Sequence, residues 1–430
     1  MAPKTTYRLN IFQRAALSWD RMLPYNAAHV VRAGGALDIQ RLHTSIHTCL
    51  DRYGLGSLRL DEKTSRFGYE TLSERPPVEV LPPSDNVLGS LKNRLELELN
   101  RPFTLLPPSL PIRFFVVQDG ENFYLGLVYF HVIADASSII FLLNDILRCY
   151  ESGLAPNPHP GRLYPQARLG TVSLIRGFFD WLRTLPHDVN DVRRTLRVSW
   201  INGAPKRAGL LLEKLPLDGR KLAEKCRTLG VTANDLFLAA LLKSVPPLRG
   251  KKKSAHRSRL SVGSIISTRR DLGLNGGKEF GLFLSSFRVS ASSPEQYSLT
   301  EMAADVRRQT QRVKKFKLHL RNMMETSLGL RLETLVSSGM RDRFYAKHYP
   351  LAAGLTNMDL NALWEPSGEP IPDYWRAVST NRAVPMVFSV TSAAASLNIS
   401  VSFSMHVYTK EEAVEALSHF VGHLREFALG

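Results

Sequence analysis

A histidine and an aspartate four residues apart, His131 and Asp135, stand where an alternating apolar stretch from Phe123 to Phe130 runs into a helical pattern. An imidazole at the end of a strand can be held rigidly at the mouth of a cleft, as a general base requires. The aspartate can orient the ring, or it can turn back and fix the loop, and the spacing permits both. By itself the His-x-x-x-Asp pattern carries little weight, because roughly half a match is expected by chance in a chain of this composition. Its flanks carry more.

Upstream, Leu110 to Val117 reads as a second strand, joined to the first through the turn residues Asp119-Gly120-Glu121-Asn122. Downstream, the Ser137 and Ser138 hydroxyls are placed to cap a helix whose apolar face is Ile139, Ile140, Leu142, Leu143, Ile146 and Leu147. The second half continues in the same manner. It has a strand-like run Leu210 to Leu215, a helix from Asp218, an apolar helix through Ala239 to Val245, strands at 259–266, 283–289, 386–390 and 397–403, and a last helix from Lys410. Strands and helices mix in both halves, so the fold class is α/β.

The ordered series from Arg101-Pro102-Phe103 through the Arg113 strand, the His131–Asp135 loop and the Ser-Ser helix ending near Tyr150 resembles the condensation-domain and alcohol acyltransferase superfamily. That group includes the plant-type acyltransferases, the mycobacterial polyketide-associated acyltransferases and chloramphenicol acetyltransferase. Further segments keep the family's order: Ala36 to Leu42 with Cys49 to Tyr53 and Leu58-Arg59, Gly230 to Leu236, Ser267 to Leu272, Gly281-Leu282-Phe283 and Gly354-Leu355-Thr356-Asn357. The chain departs from the pattern at Phe130, where many members carry a second histidine, and at Ala136, where many carry glycine.

The resemblance implies two chloramphenicol acetyltransferase-like α/β sandwich domains forming a pseudo-dimer with a tunnel between them. It implies acyl transfer from a thioester, carried by coenzyme A or by the phosphopantetheine of an acyl or peptidyl carrier protein, to a hydroxyl or amine of a small-molecule or lipid acceptor. His131 would be the base. Asp135 would point away from the tunnel and pair with Arg269 or Arg270, Ser138 would touch the acceptor or oxyanion unless it only caps the helix, and Asn357 would donate an N–H to the carbonyl oxygen. Amide-forming condensation of carrier-bound substrates, or a catalytically silent domain that recruits carriers, would use the same frame.

A chain of 430 residues exceeds one ordinary core, and two domains are expected. The proline-rich Ala155 to Gly161 cannot continue a helix. Leu174, Ile175, Phe178, Phe179, Trp181 and Leu182 follow at helical spacing, an amphipathic helix that packs on the junction or lies on a membrane surface. The expected division is thus 1–170, a linker over 171–202, and 203–430, in a monomer.

The formal charge of +17 favours anionic partners such as a carrier protein, an acidic membrane or the phosphates of coenzyme A. The basic runs at 249–259, a loop after Pro246-Pro247, and at 307–321, a helix, lack the aromatic interleaving of a nucleic-acid module, so no nucleic acid is expected. Cys49, Cys149 and Cys226 lie in apolar helical patterns and read as buried thiols, without disulfide or zinc spacing. No secretory leader and no apolar run of spanning length occur, so a cytoplasmic location is expected. Absence of a phosphate loop, a Gly-x-Ser-x-Gly elbow and a metal-ligand cluster disfavours nucleotide hydrolysis, serine-esterase and metalloenzyme chemistry.

Overall fold

The apolar stretch before His131 forms a nine-residue strand whose residues are buried after the first, which a strand flanked on both edges and covered on both faces requires. The computed structural model describes residues 5–72, 74–153, 163–165, 179, 189–246, 257–274, 279–333, 340–364, 371–393 and 395–429. In chain order the elements are β1 (Thr6–Arg8), α1 (Ile11–Asp20), β2 (Asn26–Ala33), α2 (Ile39–Tyr53), β3 (Ser57–Asp61), β4 (Arg66–Glu70), β5 (Val78–Leu81), α3 (Val87–Asn100), β6 (Ile112–Asp119), β7 (Asn122–Phe130) and α4 (Ala136–Ser152). They continue with β8 (Ala208–Leu215), α5 (Gly219–Thr228), α6 (Ala233–Ser244), β9 (Arg259–Ser267), β10 (Leu284–Ser292), α7 (Leu299–Lys315), α8 (Leu318–Glu333) and α9 (Arg341–His348). The last are β11 (Ala353–Asp359), β12 (Tyr374–Val378), β13 (Met386–Ser392), β14 (Leu397–Ser404) and α10 (Lys410–Leu429).

The chain forms two compact units, and they do not follow the linear division at 203. One unit holds residues 1–167 together with 269–283 and 359–378, and the other holds 168–268, 284–358 and 379–430. Two short segments from the second half therefore fold with the first. Local pattern could not show this, because a strand such as β12 is assigned to a sheet by the edge it pairs with.

In the first unit a five-stranded sheet runs β12-β2-β7-β6-β5, with β7 at its centre. The β6–β7 hairpin closes through Gly120, whose φ of 62° suits glycine at the first central position of a tight turn. Gly126 lets β7 approach its neighbour: a Cβ there would stand 2.2 Å from the Phe115 ring. Beneath β6, Glu98 of α3 is fully buried and takes Arg94 at 2.7 Å and Arg113 at 2.6 Å. A second sheet, β1-β4-β3, completes this unit.

The other unit is built on a six-stranded sheet, β10-β9-β11-β13-β14-β8, in which β10 with β9, β13 with β14 and β14 with β8 pair antiparallel and β11 runs parallel to β9. Its core gathers Leu236 to Leu242 of α6 with Phe388, Ile399, Val401 and Phe420. Gly230 ends one turn with φ 70°, and Thr232 and Asp235 cap α6 reciprocally. The basic helix expected over 307–321 is two helices: α7 ends at Lys315, and Lys317 takes φ 49° before α8 begins. Of the three thiols Cys49 and Cys226 are buried, whereas Cys149 is half-exposed. The amphipathic stretch 174–182, apart from the exposed Phe179, the proline-rich break and the basic loop at 249–253 lie outside the described residues. Among the described residues no helix is long and apolar enough to cross a membrane.

Candidate active site

β7 delivers His131 at its end, where the chain leaves the sheet. The backbone N–H of His131 donates to the Tyr25 carbonyl at 3.1 Å, so the residue is anchored before its side chain is considered. The ring stacks on Tyr25 at 5.2 Å with planes 10° apart and meets Tyr129 edge-on at 5.5 Å. Nδ1 lies 3.0 Å from the Ala134 carbonyl oxygen, a group that can only accept. Nδ1 therefore carries the proton, and Nε2 presents a lone pair. Burial pushes the imidazole below its ordinary value, against the opposing pull of the Ala134 hydrogen bond, so the neutral, basic form holds near neutrality. The residue is 6% exposed.

Asp135 does not orient that ring. Its carboxylate is 1% exposed and is gripped by Arg269, Nη1 to Oδ2 at 2.6 Å and Nη2 to Oδ1 at 2.9 Å, a bidentate pair. The Phe283 N–H donates to Oδ2 and the Ser138 N–H to Oδ1, each at 3.1 Å. Arg270 is exposed and takes no part in the pair. Asp135 is also the N-cap of α4, a role the sequence pattern assigned to the Ser137 and Ser138 hydroxyls. One carboxylate thus closes the loop, starts the helix and buries a cation.

The Ser138 side chain, expected either to touch the acceptor or oxyanion or to cap the helix, bonds within the protein. Its hydroxyl accepts from Arg269 Nη2 at 3.0 Å and from the Gly281 N–H at 3.1 Å, and it lies 3.0 Å from the Gly281 carbonyl and 3.1 Å from Asp135 Oδ1 as donor. One hydroxyl has one proton and two lone pairs, and all are engaged. Gly281 also accepts from the Asp135 N–H at 2.9 Å, with φ 157°. A Cβ there would meet the Phe283 ring at 2.8 Å. Segment 279–283 is thus a clamp on the loop.

The two departures in the motif have structural accounts. Phe130 points to the opposite face of β7 from His131, where it is buried near Phe103 at 6.1 Å. Ala136 is the first residue of α4 and has no positive φ, so alanine fits its backbone without strain.

Several residues at this site were not anticipated. Tyr164 donates its hydroxyl to the Ile133 carbonyl at 2.8 Å, and the Tyr69 hydroxyl lies 2.6 Å from it. His29 and Arg376 face each other across β2 and β12, on the sheet face that carries Tyr129 and His131. His29 Nδ1 lies 2.7 Å from the Tyr374 hydroxyl, and its Nε2 has no hydrogen-bond partner among the described residues. Burial, then the charge of Arg376, then His131 push His29 well below the ordinary imidazole range. Arg376, 2% exposed, is itself pushed down to about 10 by burial. A histidine within the apolar run Ala27 to Val31 was the available signal. Asn357 belongs to the other unit, on β11, and its Oδ1 has no hydrogen-bond partner among the described residues.

No family model matches the chain. A linear gramicidin synthase of Brevibacillus parabrevis is 28% identical over 155 residues, which is 34% of this chain and only 3% of that protein's length. Solved structures align over nearly all of it. The cyclization-docking bidomain of a nonribosomal peptide synthetase from Sorangium cellulosum has a TM-score of 0.71 at 14% identity, covering 100% of this chain and 87% of that one. The trichothecene 15-O-acetyltransferase of Fusarium sporotrichioides gives 0.67 at 12%, covering 98% and 95%. The first condensation domain of the calcium-dependent antibiotic synthetase gives 0.66 at 13%, covering 99% and 97%. The mixed α/β architecture of this chain is therefore the chloramphenicol acetyltransferase-like fold of condensation domains and acyltransferases.

Proposed function

We propose that the chain is an acyltransferase of the condensation type, in which His131 takes a proton from an acceptor hydroxyl or amine as it attacks a thioester. The observation that carries this reading is the Nδ1–Ala134 hydrogen bond, which directs the lone pair of a buried, neutral imidazole through Nε2. In the first step the acceptor heteroatom bonds to the thioester carbonyl carbon and its proton moves to Nε2. In the second the carbon–sulfur bond breaks, and the departing thiolate takes that proton. No covalent acyl-enzyme is needed. Asp135, paired with Arg269, positions the loop and does not touch the reacting atoms. Asn357 is assigned to the oxyanion on its place in the sequence pattern.

The donor is an acyl-coenzyme A or an acyl or peptidyl group on a phosphopantetheinyl carrier domain. A peptide synthase among the relatives, together with an acetyltransferase of the same fold, supports both sources. The test is incubation with a panel of acyl-coenzyme A and carrier-bound donors and candidate alcohols and amines, following release of free thiol. Acceptor-dependent release that falls at least a hundredfold in His131→Ala supports the mechanism, and release unaffected by that change refutes it. Asn357→Ala is expected to lower turnover while leaving donor binding intact.

The 6% exposure of His131 favours a second reading, a silent domain that recruits carrier-bearing partners. Carrier binding without thiol release under any acceptor would establish it.

A further inference from the structure

The second unit carries a concentration of positive charge that acyl transfer does not use. A surface depression of 780 Å³ is lined by Arg307, Arg308, Arg312, Lys314, Lys315 and the ring of Phe316, beside the N-cap Thr232 of α6. The depression is shallow and open to solvent. Two of its cations are neutralised: Arg307 meets Asp235 at 3.4 Å, and Arg308 meets Asp305 at 2.7 Å. Arg312, Lys314 and Lys315 have no carboxylate within ion-pairing distance among the described residues.

Arg312 and Lys315 stand three residues apart on α7, so two like charges without a carboxylate partner share one helical face. The carboxyl end of α7 offsets part of this through its dipole, which is equivalent to about half a charge, against three uncompensated cations. Phe316 is 53% exposed beside them, and Lys315 Nζ stands 5.5 Å from its ring centre. A flat ring among guanidinium and ammonium groups suits a ligand that presents clustered phosphates next to an aromatic base.

We infer that this depression binds a polyphosphorylated ligand of the nucleotide class, its phosphates held by Arg312, Lys314 and Lys315 and its base stacked on Phe316. His131 and Asp135 contribute nothing to this site, so it stands or falls separately from the proposed catalysis. The shared chemistry is that of coenzyme A, free nucleotides and inorganic polyphosphate, and the titration separates them.

The full chain is titrated calorimetrically with coenzyme A, 3′,5′-ADP, ATP, inorganic tripolyphosphate and, as the phosphate-poor control, pantetheine. Micromolar to sub-millimolar binding of at least one phosphate ligand, weakening with salt, is expected, with pantetheine silent. Arg312→Glu combined with Lys314→Glu and Lys315→Glu should weaken binding at least tenfold. The charge-matched control Arg220→Glu with Lys221→Glu and Lys410→Glu should leave it within twofold. Phe316→Ala should weaken the nucleotides severalfold and leave tripolyphosphate unchanged. A preference for coenzyme A over ATP identifies the donor's own carrier as the ligand, and the reverse identifies a free nucleotide. Absence of binding by every phosphate probe, or binding equally strong in the pocket triple variant, overturns the inference. Circular dichroism of each variant confirms that the fold is kept.

Discussion

Removing the Arg269 guanidinium should be among the most damaging single changes in the first unit. The Asp135–Arg269 pair has side-chain exposures of 2% and 9% and two hydrogen bonds, at 2.6 and 2.9 Å. Breaking a buried pair costs about 3–5 kcal/mol, because one charge remains without its partner. In Arg269→Met the carboxylate keeps Ser138 N–H, Ser138 Oγ and Phe283 N–H as donors, which places the cost near about 3 kcal/mol. Asp135→Asn keeps an adequate helix cap but removes the opposite charge from the buried guanidinium, at about 2–3 kcal/mol. The double variant Asp135→Asn with Arg269→Met buries no charge and should be less unstable than the two singles added together, with a coupling of about 2 kcal/mol or more. Against a typical total of about 5–15 kcal/mol, these are large fractions. Equilibrium urea unfolding, with hydrogen exchange of peptides spanning residues 131–140, reads both the global and the local effect. Strict additivity of the two single changes, or an Arg269→Met variant within about 0.5 kcal/mol of the parent, would refute the idea that this pair locks the loop.

Other outcomes follow from the same geometry. Glu98→Ala removes the carboxylate that Arg94 and Arg113 share, while Arg94 keeps Glu79 and Arg113 keeps the Arg101 carbonyl, so chemical denaturation should show a loss of about 3 kcal/mol, the low end for a broken buried pair. Tyr164→Phe removes the donor to the Ile133 carbonyl and the partner of Tyr69; a loss of about 1–3 kcal/mol, with faster exchange in the 131–135 loop, is expected from thermal unfolding and hydrogen exchange. If His131 is the base, the rate should rise with pH through a single titration below 6.5 and then level off, because burial lowers its folded value; a pH–rate profile with its midpoint at or above 6.5 would contradict this. His29 and His131 titrate lower folded than unfolded, so below pH 6.5 the unfolded chain binds more protons and stability falls on acidification, by at most about 1.4 kcal/mol per pH unit for each histidine. His29→Gln should flatten that slope between pH 6.5 and 5 in a series of melting curves.

The local pattern around His131 was legible because each step of it is local chemistry. The alternating run makes β7, Gly120 makes the turn, and the apolar spacing after Asp135 makes α4. Strands 259–266 and 397–403 were placed within a residue of their ends for the same reason. Cap identity was less secure, since an aspartate and two serines in four residues can each supply an oxygen, and only the backbone direction at Asp135 selected it.

Pairing across long separations was settled by tertiary structure. Arg269 and the exposed Arg270 are equivalent in sequence, yet one guanidinium reaches a carboxylate 134 residues away. Ser138 read equally as a contact for substrate and as a helix cap, and the folded chain sets Gly281 and Arg269 around its hydroxyl. His29 and Arg376 became neighbours only because β12 crosses over to pair with β2. A sequence fixes periodicity, turns and caps through interactions spanning a few residues, whereas the partner of a buried charge depends on which sheet edges and loops the folded chain brings together.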